Sequence, residues 1–315
     1  MSCTVLGGGV SGLSTGIRLL EMGLGVRLVA ERMSPETVSD TAAAWWYPFL
    51  VEPIVKANRW SSESFVEFVR LMEEEELEFI TMRLGREYLK QHSKAPDWSE
   101  SVNHFRILEK DEIVDGYSFG WEFEAPVIEM AHYMPWLKSR FELLGGTVAN
   151  RKITDFHEME SELIVNCSGL GAREICGDEK VVPVRGQIVY IEQDPGFGRY
   201  DQRPESLIYT IPRRDVTVLG GTAQKGDWTM EIREEDEEDI LRKCELLWPE
   251  LDRSKVVGRA VGLRPSRPEV RLEKEHLQGK DIIHNYGHGG AGVTLSWGCA
   301  DEVARLISTL GLVGN

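Results

Sequence analysis

The chain has 315 residues, 42% of them hydrophobic and 28% charged, and carries a net charge of −16. That is room for one large domain or two medium ones, of ordinary soluble composition. The negative charge speaks against nucleic acid, which needs a basic footprint, and against an anionic membrane surface. No apolar run reaches the ~18–20 residues of a membrane span.

The five cysteines, Cys3, Cys167, Cys176, Cys244 and Cys299, are odd in number and form no C-x-x-C pair. They read as reduced thiols of a cytoplasmic protein. No basic and hydrophobic leader precedes the first apolar stretch, and the ending "LVGN" is not a peroxisomal address.

Cys3 to Leu6 reads as a short strand, and Leu13, Ile17 and Leu20 recur at helical spacing after it. "GVRLVAE" is a second strand, ending at Glu31 beside Arg32. Between strand and helix, Gly7, Gly9 and Gly12 fit G-x-G-x-x-G. The first glycine permits a tight turn, the second lets backbone approach a pyrophosphate, and the third lets helix and strand pack closely. Val10 and Ser11 open the helix, whose unpaired N–H groups face phosphates. Glu31 is placed to accept from a ribose diol. The pattern predicts a dinucleotide site without choosing between NAD and FAD.

"SDTAAAWWYPF" from Ser39 to Phe49 is a run of small residues closed by aromatics. Small residues let backbone lie against something flat; a buried connection with two core tryptophans is the alternative. Arg59 to Glu78 reads as a helix whose "EEEELE" run is a solvated face. Tyr117 to Pro126 reads as a strand, and Glu129 to Leu144 as an amphipathic helix. "ELIVNCSGLGA" from Glu162 to Ala172 is a buried strand ending in small residues, Ser168 among them, as strands flanking a ligand do. Val184–Glu192, Leu207–Pro212 and Val216–Thr222 read as strands, Arg233–Trp248 as a helix, and Val293–Leu310 as the final helix. Nucleotide-type elements thus stand at the start, middle and end. The expectation is an α/β protein of two discontinuous domains. Residues 1–50, 146–185 and 259–315 form a doubly wound nucleotide domain. Residues 51–145 and 186–258 form an α+β substrate domain on a mixed or antiparallel sheet.

In "KVVGRAVGLRPSRP", strand alternation puts Gly258, Ala260, Gly262 and Arg264 on one face. That is a shelf of small residues with one guanidinium at its end. Pro265 keeps Arg264 extended, and a fixed guanidinium fork suits a carboxylate. An ordinary salt bridge is the alternative. Leu207, Tyr209 and Ile211 share a face, where a tyrosine is commonly core. His284 and His288 in "HNYGHGGAG" are not read as a metal site, because they fall in a glycine loop without a third ligand.

The motifs "VLGGGVSGLSTGIRL", "SDTAAAWWYPF", "LIVNCSGLGA", "PVRGQ", "TVLGGTAQKGDW", "VGLRPSRPEVRLE" and "HNYGHGGAGVTLSWGCADEVA" occur in this order. In them the chain resembles the D-amino-acid oxidases, including the D-aspartate oxidases, over nearly its full length. The resemblance implies non-covalent FAD in a Rossmann-like domain, with the two glycine-rich ends of the chain meeting on one cofactor. It implies that Gly289, Gly290 and Gly292 lie against the isoalloxazine. The helix from Val293 and Thr294 then aims N–H groups at the flavin N1–C2 region. Ala43, Ala44 and Trp45, with Ile153, are expected to line the flavin, and Ser168 joins the cofactor set. Arg264 is expected to bind the substrate carboxylate, Tyr209 to hydrogen-bond it, and the Gly290 carbonyl to accept from the amine.

The implied reaction is oxidative deamination. The α-hydrogen leaves as hydride to flavin N5, oxygen restores the flavin with release of hydrogen peroxide, and the imino acid hydrolyses to a 2-oxo acid and ammonia. The partners are a D-amino acid and oxygen, with a homodimer as the working oligomeric expectation. The chain departs from the family at Ala291, where vertebrate relatives carry tyrosine. It departs again in "GRYDQRPESLIY", which is shorter than the family's lid and lacks its second tyrosine. Ala223 stands where D-aspartate oxidases carry arginine. Arg213 and Arg214, in a strand-connecting turn, are expected to be solvated. The expected substrates are therefore neutral, apolar D-amino acids, with a D-aspartate oxidase or a glycine- or sarcosine-type oxidase as the rivals.

Overall fold

The computed structural model describes residues 2–48 and 50–309. Phe49, Leu310 and the "LVGN" ending lie outside the described residues. The first elements are β1 (Ser2–Leu6), α1 (Val10–Glu21) and β2 (Gly25–Ala30). The two strands run parallel, with Ser2 opposite Gly25 and Leu6 opposite Val29. There follow α2 (Ile54–Glu74), β3 (Ile80–Leu89), β4 (Phe105–Ile107), β5 (Phe119–Ile128), α3 (Met130–Leu143), β6 (Thr147–Asn150), β7 (Leu163–Asn166) and the short α4 (Ala172–Ile175). The second half holds β8 (Val182–Ile191), β9 (Gly198–Asp201), β10 (Ile208–Pro212), β11 (Thr217–Gly220), β12 (Gln224–Lys225), α5 (Glu234–Leu247), β13 (Val256–Leu277), β14 (Lys280–His288) and α6 (Gly292–Ser308).

The strands form one hydrogen-bonded path, β4-β5-β3-β9-β10-β11-β8-β13-β14-β7-β1-β2-β6, with β12 on β8. From β14 to β6 all neighbours are parallel, as in a doubly wound sheet. From β8 to β9 and from β3 to β4 they are antiparallel, and only β3 with β9 is parallel. The fold class is therefore α/β with a mixed-sheet second region. β13 joins the two regions. Its first part pairs with β8 from Val256 to Ser266, and its later part pairs with β14, across a register break between Ser266 and Arg271.

Helices α1 and α6, from opposite ends of the chain, lie side by side in the same direction. Ser14 Oγ donates to Val10 O (2.8 Å) and to Ser296 O (3.2 Å). One turn on, Arg18 reaches Asp301 (2.8 Å) and Glu67 (2.9 Å), with its guanidinium 4.6 Å from the Trp297 ring centroid. Both helix N-termini therefore open at the same end of the sheet.

Several boundaries differ from the sequence reading. β13 runs nine residues past Pro268, and His284 to His288 belong to β14 rather than to a loop. β3 carried no clear signal, because its inward face holds Arg83, Gly85 and Glu87. The missing side chain at Gly85 is filled by Trp45 and Tyr200, whose rings stack at 3.6 Å. Trp45 and Trp46 are both buried. In the acidic run Glu73, Glu74, Glu76 and Glu78 are exposed, as a solvated face requires.

Candidate functional site

A cavity of about 1010 Å³ opens where the parallel strands end, bounded by both glycine-rich loops and by the face of β8, β10 and β13. Gly7, at φ +120°, turns the first loop against the end of β7, where a Cβ would overlap the Cys167 carbonyl. Gly9, Val10 and Ser11 line the cavity. The Val10 N–H is held by Ser39 Oγ at 3.0 Å. Gly12 does not line it. A side chain there would strike the Gly7 carbonyl, so its part is close helix–strand packing. Glu31 and Arg32 line the cavity at the end of β2. Ser168 also lines it, and its Oγ is buried with no hydrogen-bond partner among the described residues. Ile153 lines the cavity too, but packs with Leu6 and Val29 beside Lys152 and the Glu31 strand end. It follows β6, which runs alongside β2, and so reaches the cavity on the side of the Glu31 strand end.

The second loop follows β14. Gly289, Gly290, Gly292, Val293 and Thr294 line the cavity at the start of α6, where helix N–H groups lack partners. Thr294 Oγ1 clamps Tyr47, accepting from its N–H at 3.2 Å and donating to its carbonyl at 3.1 Å. Ala43, Ala44 and Trp45 line the same wall. The carbonyls of Ala42 and Ala43 accept from Arg213 (2.9 Å each), and that of Ala44 accepts from the Ile128 N–H (2.9 Å). Among the described residues the N–H groups of Ala43, Ala44 and Trp45 meet no acceptor. A glycine loop for a pyrophosphate, an orphaned hydroxyl, free backbone donors and two helix N-termini opening at the same end of the sheet together fit FAD.

At the far end stands Arg264. Its guanidinium lies flat over Gly186, where any Cβ would overlap it, and donates to the Thr222 carbonyl at 2.8 Å. Among the described residues no carboxylate lies within ion-pair distance. The ordinary salt bridge left open by the sequence is not made. Gly186 faces Gly262 across β8 and β13, so two strands make the shelf where the sequence suggested one. Tyr209 lies over Gly220 and Gly221 and lines the cavity with Leu207, Ile211 and Ile188. Burial raises its phenol above the ordinary range, against the opposing charge of Arg264, so the hydroxyl stays protonated and can donate. The other lining cations, Arg32, Lys152 and Arg173, sit in the segments around Glu31 and Glu174.

Two expectations change here. Arg213 is not solvated. It turns inward to the Ala42 and Ala43 carbonyls, while Arg214 pairs with Glu129 at 2.9 and 3.0 Å. The segment expected as a short lid is β9 and a turn, with Tyr200 fully buried under Trp45. His284 is bound to Glu275 (2.9 Å) and His288 to Asn285 (3.0 Å). Burial lowers His288 to about 4, which keeps it neutral. Sequence reasoning missed Gly186, Thr222, Tyr47 and Arg213. Only "PVRGQ" carried a hint, placing a glycine within a β-branched strand.

The sequence profile of the FAD dependent oxidoreductase family matches residues 2–306. The chain is 42% identical to a D-amino-acid oxidase of Rubrobacter xylanophilus over 309 residues, covering 96% of this chain and 94% of the relative. It is 34% identical to a human D-aspartate oxidase, covering 96% and 94%. Among solved structures, glycine oxidase from Geobacillus kaustophilus superposes with a TM-score of 0.82 at 16% identity, covering 98% of this chain and 94% of that one, which shows the shared fold. With a full-length profile match and relatives above 30% identity, the chain belongs to the FAD dependent oxidoreductase family.

Proposed function

We propose that the protein oxidises D-amino acids to 2-oxo acids, ammonia and hydrogen peroxide, favouring neutral and apolar side chains. The observation that carries this reading is the uncompensated Arg264 guanidinium beside Tyr209, at the apolar end of a cavity built for FAD. A half-buried cation without an anionic partner is costly, and a substrate carboxylate is the ligand that completes it. The Arg264 fork holds that carboxylate, and the Tyr209 hydroxyl donates to it. The Gly290 carbonyl accepts from the amine, which must be neutral for its lone pair to stabilise the cation forming at the α-carbon. When bound, FAD would supply a two-electron acceptor that oxygen can reoxidise. The chain's contribution is orientation and exclusion of water, with no general base required.

The side-chain preference follows from the walls. Leu207, Ile211, Ile188 and Trp45 surround the Arg264 end, and Arg213 is engaged by backbone. A second carboxylate would be desolvated there without a partner. The same proposal includes the two-domain division, a homodimer and a cytoplasmic setting. Among the described residues no helix is long and apolar enough to cross a membrane.

The test is anaerobic bleaching of the purified holoenzyme, followed by a kcat/KM series on D-alanine, D-valine, D-leucine and D-aspartate. D-alanine should bleach the flavin and L-alanine should not. Absence of bleaching by every D-amino acid removes the oxidase reading. A lead for D-aspartate moves the protein to the acidic-substrate branch.

A further inference from the structure

Arg213 stands at the end of β10 and has no role in the reaction described above. Its Nε is buried and meets no acceptor among the described residues. Its NH2 group donates to two successive carbonyls, Ala42 O and Ala43 O, each at 2.9 Å. The titratable groups facing it are Tyr190 from β8, Tyr209 from β10 and Glu129 at the start of α3. Glu129 is taken by Arg214, so among the described residues no carboxylate pairs directly with Arg213. Burying such a charge disfavours it by desolvation, and arginine cannot escape by losing its proton. A simple loop anchor needs only a neutral donor.

The bonded segment is the cavity wall. With the Ala42, Ala43 and Ala44 carbonyls occupied, the N–H groups of Ala43, Ala44 and Trp45 are left without acceptors among the described residues. Tyr209 lies within the field of both Arg213 and Arg264. We propose that Arg213 is a positioning residue for the cofactor: it sets the Ala42–Trp45 wall so that backbone donors face the flavin, and its fixed charge favours the reduced, more negative form. The inference rests on FAD occupying this cavity. It does not depend on which substrate is oxidised.

Three variants separate the two contributions. Arg213→Met removes donors and charge, Arg213→Gln keeps a donor, and Arg213→Lys keeps the charge. Apoprotein is titrated with FAD by flavin fluorescence, and the two-electron potential is measured against a reference dye. The methionine variant should bind oxidised FAD about tenfold more weakly. Its potential should also fall, by ~30 mV for each tenfold loss of preference for the reduced cofactor. The glutamine variant should keep most of the affinity but show the lowered potential. The lysine variant should restore the potential. Arg214→Met, at a paired surface arginine, should change neither.

Wild-type affinity and potential for Arg213→Met overturn the proposal. So does a lysine variant whose potential stays with methionine, or a series in which only the KM for D-alanine moves. Where the methionine variant does not fold, the glutamine and lysine variants decide by the same criterion. If wild type binds FAD but no D-amino acid bleaches it, the proposed activity fails while this comparison stands, because neither readout uses substrate.

Discussion

Arg264→Ala separates the stability of the fold from the function of the site. Among the described residues this side chain makes one hydrogen bond, to the Thr222 carbonyl at 2.8 Å, and no ion pair. Deleting it should cost the fold ~1 kcal/mol, a shift of a few degrees in melting temperature. FAD should remain bound, because the dinucleotide loop and the Ala42–Trp45 wall lie elsewhere in the cavity. The substrate carboxylate, by contrast, would be buried without its cation. Breaking a buried charge pair typically costs ~3–5 kcal/mol, so kcat/KM for D-alanine should fall by about two to three and a half decades. The assay is a peroxide-coupled initial rate, normalised to flavin content and accompanied by a thermal melt. Near-normal kcat/KM in a folded, flavin-loaded variant would refute the assignment. So would a large loss of stability with unchanged activity per bound flavin.

Gly186→Ala should lower kcat/KM on D-alanine while leaving Arg264 in the sequence, because its Cβ would occupy the space of the guanidinium; unchanged kinetics would show that the shelf is dispensable. Glu87, buried between Tyr47 (3.0 Å) and Trp121 (2.8 Å), is raised by desolvation to about 7 from 4.5. Its stabilising contribution is complete below pH 4.5 and is lost as pH rises through 7, by up to ~3 kcal/mol. Glu87→Gln should therefore gain melting temperature over wild type between pH 5 and pH 9, and a constant difference across that range would contradict it. Ser168→Ala should weaken FAD binding by severalfold without lowering the melting temperature of the apoprotein, since its Oγ has no protein partner to lose; a destabilised apoprotein would place that hydroxyl in the fold instead.

The parts of the site legible in the sequence are those governed by local backbone rules. G-x-G-x-x-G, a following helix and a strand ending at Glu31 lie within one short βαβ unit, so spacing alone places them. Arg264 was visible because strand alternation and the following proline act over a few residues. The two glycine-rich ends could be matched to one cofactor by resemblance. Their meeting is made physically by α1 and α6 packing through Ser14, Arg18, Ser296 and Asp301.

What only tertiary structure decided depends on register between distant strands. Gly186 bares the Arg264 shelf because β8 pairs with β13 so that Gly186 meets Gly262, some 76 residues away in sequence. β3 was hidden because its core-facing positions are Arg83, Gly85 and Glu87. Local composition assigns such residues to solvent, but the Trp45–Tyr200 stack covers Gly85, and Tyr47 and Trp121 enclose Glu87. Ile153 reaches the cavity beside the Glu31 strand end because β6 pairs with β2, a choice made between strands rather than along one. Arg213 gave the same local signal as Arg214. One faces two backbone carbonyls contributed from about 170 residues earlier, and the other faces Glu129. Dihedral limits and side-chain periodicity act within a few residues and can be read from order alone. Burial and charge compensation are set by partners that only the folded chain brings near.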